Sequence, residues 1–276
     1  MKKFYVSVLM VAACSIVSLA CVRSQQSPQQ SPQQSPLVEP LLPISSPPAN
    51  QFPRQPLELP DVEAGSEFDR FRSRLRQAVR ARDVEFVKAL IPDEGVALGF
   101  GAPVSREVLD DINSGTGKTV WRLLEHAIAI SCGASDSSTY LKVDANAAVY
   151  ECPNVATEFL RRYPAPPDSE GVSYEISRVI VVGENISVHA QADRNSEPIA
   201  TLSNEVVEFD RAAWERIPEA ERIASSESRD GWTPILLPNG KSGYVSNRNA
   251  YFPLGNRAIF GRVNGQWQLL DLPGGD

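Results

Sequence analysis

A proline-rich tract limits what this chain can fold into. Gln-Ser-Pro recurs three times, within residues 25–28, 29–32 and 33–36, and the same texture runs from Arg23 to about Pro60. Such a stretch has no apolar pattern to bury, and its prolines remove amide donors and favour polyproline II. Residues 22–60 are therefore expected to be a disordered, semi-stiff Pro/Gln/Ser spacer that lifts whatever follows off a surface. With 22 prolines and 42% hydrophobic residues in 276, the remainder suffices for one or two modest domains. The 27 Lys and Arg against 34 Asp and Glu give a net charge of -7, which argues against nucleic acid as a partner, because counterion release needs a basic face.

Ahead of the spacer, Met1-Lys2-Lys3 leads into the apolar run Phe4 to Val11 and then into small residues. Residues 1–21 thus have the layout of a secretory signal segment, too short to be a comfortable membrane span. Val11-Ala12-Ala13-Cys14 and Ser18-Leu19-Ala20-Cys21 both resemble the bacterial lipobox, in which a small residue precedes a cysteine that is lipidated. Cys14 fits the consensus better, whereas Cys21 lies at a more usual distance from the start. Cys21 is the expected lipidation site with Cys14 as the alternative, and cleavage without a lipid would give plain secretion. Nothing later in the chain is apolar enough to span a bilayer, so membrane contact is expected only through an N-terminal lipid. The expected location is the periplasm or cell envelope.

Residues 62–165 read as a small α+β domain. Phe68, Phe71, Leu75, Ala78 and Val79 recur at helical spacing, and Ser66 with Asp69 has the form of a capping box. The other face carries Arg70, Arg72, Arg74, Arg76, Arg80 and Arg82, either a solvated face or a contact for anionic lipid or polymer. Asp83 is placed to cap a short second helix through Ile91, Val96 to Phe100 reads as a strand, and a third helix is expected from Ser105. Val120, Leu123, Leu124, Ala127 and Ile128 keep the helical rhythm, with Gly133 expected to supply a left-handed stop after Cys132. Strand-like pieces follow at Tyr140 to Val143 and Ala147 to Tyr150, then a helix from Asn154 bearing Val155, Phe159 and Leu160. With Cys14 and Cys21 assigned to the export segment, Cys132 and Cys152 are expected to form a disulfide, worth on the order of 3 kcal/mol in the chain-entropy model.

Motifs for catalysis and cofactors are weak. Ser114-Gly115-Thr116-Gly117-Lys118-Thr119 resembles the end of a phosphate loop, but the pattern needs a glycine where the chain has Ile112. A catalytic Cys132 with His126 would want the thiol at a helix N-terminus, whereas Cys132 is expected at a helix end. There is no Cys-x-x-Cys and only two histidines, so no metal and no cofactor are expected, and no catalytic residue is assigned. A site built from scattered carboxylates stays open, since any two acids can meet in space.

Beyond the break at Pro164 to Gly171 the texture changes to short β-rich runs separated by turn residues, a spacing that suggests a small barrel over 172–256. Asn185-Ile186-Ser187-Val188, Arg194-Asn195-Ser196-Glu197-Pro198-Ile199, Gly231-Trp232 and Gly240-Lys241-Ser242-Gly243-Tyr244-Val245 together resemble the bacterial SH3-like (SH3b) family across about residues 174 to 252. The chain differs in having His189 for an arginine, Asn204 for a glycine, and an insertion over 210–229 whose text looks helical. The resemblance implies an all-β SH3-like barrel and noncatalytic binding of peptidoglycan or another envelope polymer. Trp232 and Tyr244 are expected as barrel core or as binding residues. Trp214, in the polar insertion, is expected as an exposed contact or as a lid on the barrel, and Tyr251 and Phe252 share that ambiguity.

Arg257 to Val263, Asn264-Gly265 and Gln266 to Leu272 form a strong hairpin signal with a type I′ turn. The hairpin, 257–276, exceeds what a barrel requires and is expected to return to the sheet of the first domain. The function expected is therefore a noncatalytic envelope module whose partner is a cell-wall polymer or an envelope protein. The alternatives are a wall hydrolase, or its accessory, and a protein-interaction adaptor.

Overall fold

In the computed structural model, residues 52–135 and 143–274 are described. The export segment with Cys14 and Cys21, the spacer as far as 51, and most of the strand-like piece at 140–143 lie outside the described residues.

Helix α1 (Glu67–Ala81) begins where the Ser66 side chain accepts the Asp69 amide, while Asp69 reaches back to the Gly65 amide. It ends where Arg82 turns left-handed and gives its N–H to Ala78 and Val79. α2 (Val84–Lys88) starts under an Asp83 cap. After β1 (Ala97–Leu98) the expected third helix is a 3-10 turn, Arg106–Asp111, and α3 (Gly115–Ala127) follows it. α3 stops at Ala127, so Cys132 is not at a helix end, and Gly133 opens β2 (Gly133–Ser135) without a left-handed φ. Its missing side chain has a packing reason, since a Cβ there would lie 2.8 Å from Asn154 Nδ2. β3 (Val149–Cys152) and α4 (Val155–Arg162) complete this part.

The arginine face of α1 divides. Arg72 is only 4% exposed and pairs with Asp61 and Asp69, while Arg76 donates to the carbonyls of Ile128 and Ile130 at 2.5 and 2.6 Å. Two of the six arginines are thus internal ties and not part of a basic surface.

A second group of elements comprises α5 (Ser173–Ile176), β4 (Arg178–Val181), β5 (Ile186–His189), β6 (Pro198–Leu202) and β7 (Glu205–Phe209). The insertion forms α6 (Arg211–Arg216) and α7 (Glu219–Ser226), and β8 (Trp232–Leu236), β9 (Ser242–Ser246) and β10 (Ala250–Tyr251) follow. These strands make a seven-stranded antiparallel sheet in the order β10-β4-β7-β8-β9-β5-β6.

β11 (Ala258–Val263) and β12 (Gln266–Leu272) turn through Asn264 and Gly265, both at positive φ as a type I′ turn requires. They occupy the middle of a five-stranded sheet, β1-β12-β11-β3-β2, in which only the β1–β12 pair is parallel. The first sheet is thus closed by residues more than a hundred positions beyond its other strands, and Phe68, Phe71, Tyr150, Phe260 and Trp267 pack their rings at its face. The Cys132–Cys152 disulfide ties the edge beside β2 to the end of β3.

Among the described residues, three apolar clusters hold these layers. One lies between α1, α3 and the first sheet, and one lies inside the second sheet. The third joins Leu57, Val155, Phe159, Ile180, Val206 and Tyr251. β4 explains it, because Val179 and Val181 face the second core while Ile180, on the opposite side, meets α4. The end of the expected spacer belongs here too. Leu57 is 2% exposed and gives its N–H to Asn204, the Val206 amide returns to Gln55, and Arg54 pairs with the buried Glu205. Residues 52–60 are therefore packed chain, because β7 has an unpaired edge at 204–206 that an extended, partly apolar segment can fill.

Candidate functional site

α3, the insertion and β10 converge on one cleft of about 250 Å3. Period four on α3 places Arg122 and His126 on one face. β7 ends at Phe209, whose ring meets Trp214 at 5.9 Å and Phe252 at 5.6 Å. Trp232 opens β8, and Tyr251 lies on β10 with its ring stacked on His126 at a centroid distance of 4.3 Å. Arg229 follows α7 and pairs with Glu125 across the cleft.

The insertion that carries Trp214 and Arg229 is fixed to the sheet by few but specific bonds. Asn247 donates to the carbonyls of Ser225 and Ser228 at 2.8 and 2.9 Å and accepts from Thr233 at 2.7 Å. The Trp232 amide donates to Ser225 Oγ at 3.1 Å. Gly231 lies so close that a Cβ would strike the Ser225 carbonyl and come within 2.6 Å of Asn247 Nδ2. The Asp210 side chain caps α6 through the Ala213 amide at 2.8 Å.

Burial, with the charges of Arg229 and Arg122, pushes His126 down to about 4, so the imidazole is neutral at pH 7. Burial pushes the Tyr251 phenol up to about 12. Burial also lowers Arg122, with Glu227 acting in the opposite direction. The cleft therefore holds two guanidinium groups, a neutral imidazole and an apolar wall of aromatic rings.

Of the four aromatics singled out by sequence, Trp214, Trp232 and Tyr251 line this cleft and Tyr244 does not. Trp232 and Tyr244 are half-buried and lie outside the second core, because Ile235 and Val245 are the inward residues of their strands. Tyr251 is buried rather than exposed. The other chemical candidates have structural jobs. Cys132 is bonded to Cys152 and offers no thiol, and a Cβ at Gly117 would collide with the carbonyl oxygens of Val108 and Asp111, acceptors where a phosphate would need donors. Among the described residues no group of three or more His, Cys, Asp or Glu could hold a metal ion, and no helix is long and apolar enough to cross a membrane.

Sequence reasoning missed Arg122, Arg229, Phe209 and Asn247. Arg122 carried one usable signal, its place four residues before His126 on the same helix, but nothing local says that this face meets a loop more than a hundred residues later. No family model, curated protein or solved structure matches the chain, so the cleft is read from its own geometry.

Proposed function

We propose that the protein is an exported, noncatalytic binding protein of the cell envelope, lipid-anchored at Cys21, that holds a wall polymer in the cleft between α3 and the insertion. On this reading the seven-stranded sheet is an elaborated SH3-like barrel, and its insertion is the device that adapts it to a ligand. One observation carries the reading: five aromatic residues, Phe209, Trp214, Trp232, Tyr251 and Phe252, converge from four separate places in the sequence on one cleft. Aromatic rings with a few fixed polar groups are what binding sites for small or extended ligands are built from. Two further points support it. Asn247, Ser225 and Gly231 fix the insertion, so the wall is formed before a ligand arrives, which lowers the ordering cost of binding. Asn204, standing where the SH3-like family has glycine, has φ of 49° and so takes the left-handed conformation that the glycine would supply.

The test is co-sedimentation of the full chain with purified peptidoglycan sacculi at low and high salt, with mass spectrometry of the soluble fraction. Salt-resistant pelleting that Trp214→Ala abolishes, without released fragments, is the expected result. Failure to pellet would refute the wall polymer and shift the partner to an envelope protein, and released muropeptides would refute the noncatalytic reading.

A further inference from the structure

Two of the residues that line the cleft carry a buried donor without a partner among the described residues. Tyr251 is 3% exposed, yet its hydroxyl has no hydrogen-bond partner among the described residues. Arg229 gives one terminal nitrogen to Glu125, but its buried Nε–H has no acceptor among the described residues. Buried polar groups are normally paired, and one left without a partner bears the full cost of its desolvation. Two such donors lining the same cleft is an arrangement that a ligand would complete. What is missing is a pair of acceptors.

The surroundings narrow the chemistry. Charged groups acting at this point are Arg122, Arg229 and, on Tyr251, Arg76, with Glu125 tied to Arg229 and Glu227 acting on Arg122. His126, beneath the Tyr251 ring, is neutral and adds no charge at pH 7. Arg122 and Arg229 each have a carboxylate in reach and Arg76 is held by the carbonyls of Ile128 and Ile130, so the positive field is modest and suits a monoanion better than a dianion. The rest of the wall mixes the rings of Phe209, Trp214 and Phe252 with polar side chains, Ser226, Asn247 and Asn256 among them.

Building on the binding role proposed above, we propose that the cleft takes a carboxylate at the end of an apolar or peptidic chain. Tyr251 Oη–H and Arg229 Nε–H donate to the two carboxylate oxygens, Arg122 supplies the second positive charge, and the body of the ligand lies against Trp214 and Phe252. A carboxylate is an acceptor-only group with two oxygens, which matches two orphan donors. The same chemistry could come from the free end of a peptide or from a small arylalkyl acid.

The test uses the full chain with N-acetyl-Ala-Ala and 3-phenylpropionate, the primary amide of each, and inorganic phosphate as a bare anion. The readouts are the Arg229 Nε–H resonance, tryptophan fluorescence and thermal melting. An acid is expected to shift the Arg229 resonance and to bind at least about tenfold more tightly than its amide. The tighter of the two acids identifies the source, and phosphate is expected to bind more weakly than both. Tyr251→Phe is expected to weaken the acid by about tenfold while melting no lower than the parent, since the lost hydroxyl had no partner.

Equal binding of acid and amide, no response of Arg229 to either acid, or a Tyr251→Phe chain that melts lower and binds unchanged would overturn the proposal. Sacculi separate it from the reading on which it rests. A chain that pellets with sacculi but ignores both acids keeps the wall-binding role and loses the carboxylate site. A chain that binds the acids but ignores sacculi keeps the site and loses the wall.

Discussion

His126 couples the cleft to pH. Its folded value of about 4 lies below the ordinary 6.5, so between those limits the unfolded chain holds a proton that the folded chain lacks. Stability is therefore intact above about pH 6.5 and falls as pH drops toward 4, by up to about 3 kcal/mol. Urea unfolding at pH 7 and pH 4.5, compared with His126→Gln, isolates this effect from that of the carboxylates, and an equal loss in both proteins would refute it. Glu205 is buried too, with Arg54 and the Ser203 amide as its partners. Arg54→Ala is expected to cost about 1–2 kcal/mol, below the fully buried case because the arginine side chain is 40% exposed, and Arg54→Ala with Glu205→Gln should recover most of it. Denaturant melts of the two variants measure the difference. At this scale the sequence was only partly legible. Tyr244 could have been placed outward by period two from Val245, but Gly243 gave no apolar residue to fix the phase of the strand. The burial of Tyr251 had no local signal, because it comes from α3 and α4 packing over a two-residue strand.

Between elements, the informative features are close approaches. Gly231→Ala is expected to cost about 2 kcal/mol or more, since the collision is with backbone and with an Asn247 held by three side-chain hydrogen bonds. The loop that carries Arg229 should move with it, so ligand affinity should fall further than stability alone explains, and calorimetric titration alongside melting separates the two. Reduction of Cys132–Cys152 should lower stability by about 3 kcal/mol, or roughly 6–12 °C for a folded part of this size, which differential scanning calorimetry with and without reductant reads directly. Both helices of the insertion, the arginine-rich first helix and the terminal hairpin had clear local signatures in caps, periodicity and an Asn-Gly turn. The end of α3 did not, because Gly133 fits a left-handed stop by sequence while its reason in the fold is Asn154 lying against it. A glycine needed for space and a glycine needed for φ look alike in a sequence.

Across the whole molecule, the third apolar cluster decides behaviour. Phe159, fully buried, links α4 to the outer face of β4, and Leu57 seals the same cluster from the N-terminal side. The two sheets are therefore expected to melt as one unit, with coincident transitions by near-UV circular dichroism and by tryptophan fluorescence. Phe159→Ala, at about 3–5 kcal/mol, should lower both signals together, and two separated transitions in the parent protein would refute the coupling. The packing of 52–60 was not legible, because composition averages over a stretch and hides one leucine with an unpaired strand edge to meet.

The position of β11 and β12 also sets an order in time. Until a ribosome has passed Leu272, β1 and β3 lack the neighbours that separate them in the sheet, while the strands between residues 178 and 251 already have every partner they need. The middle of the chain can thus assemble first and the flanks close around it, so the cleft, whose walls come from both, is the last feature to take shape.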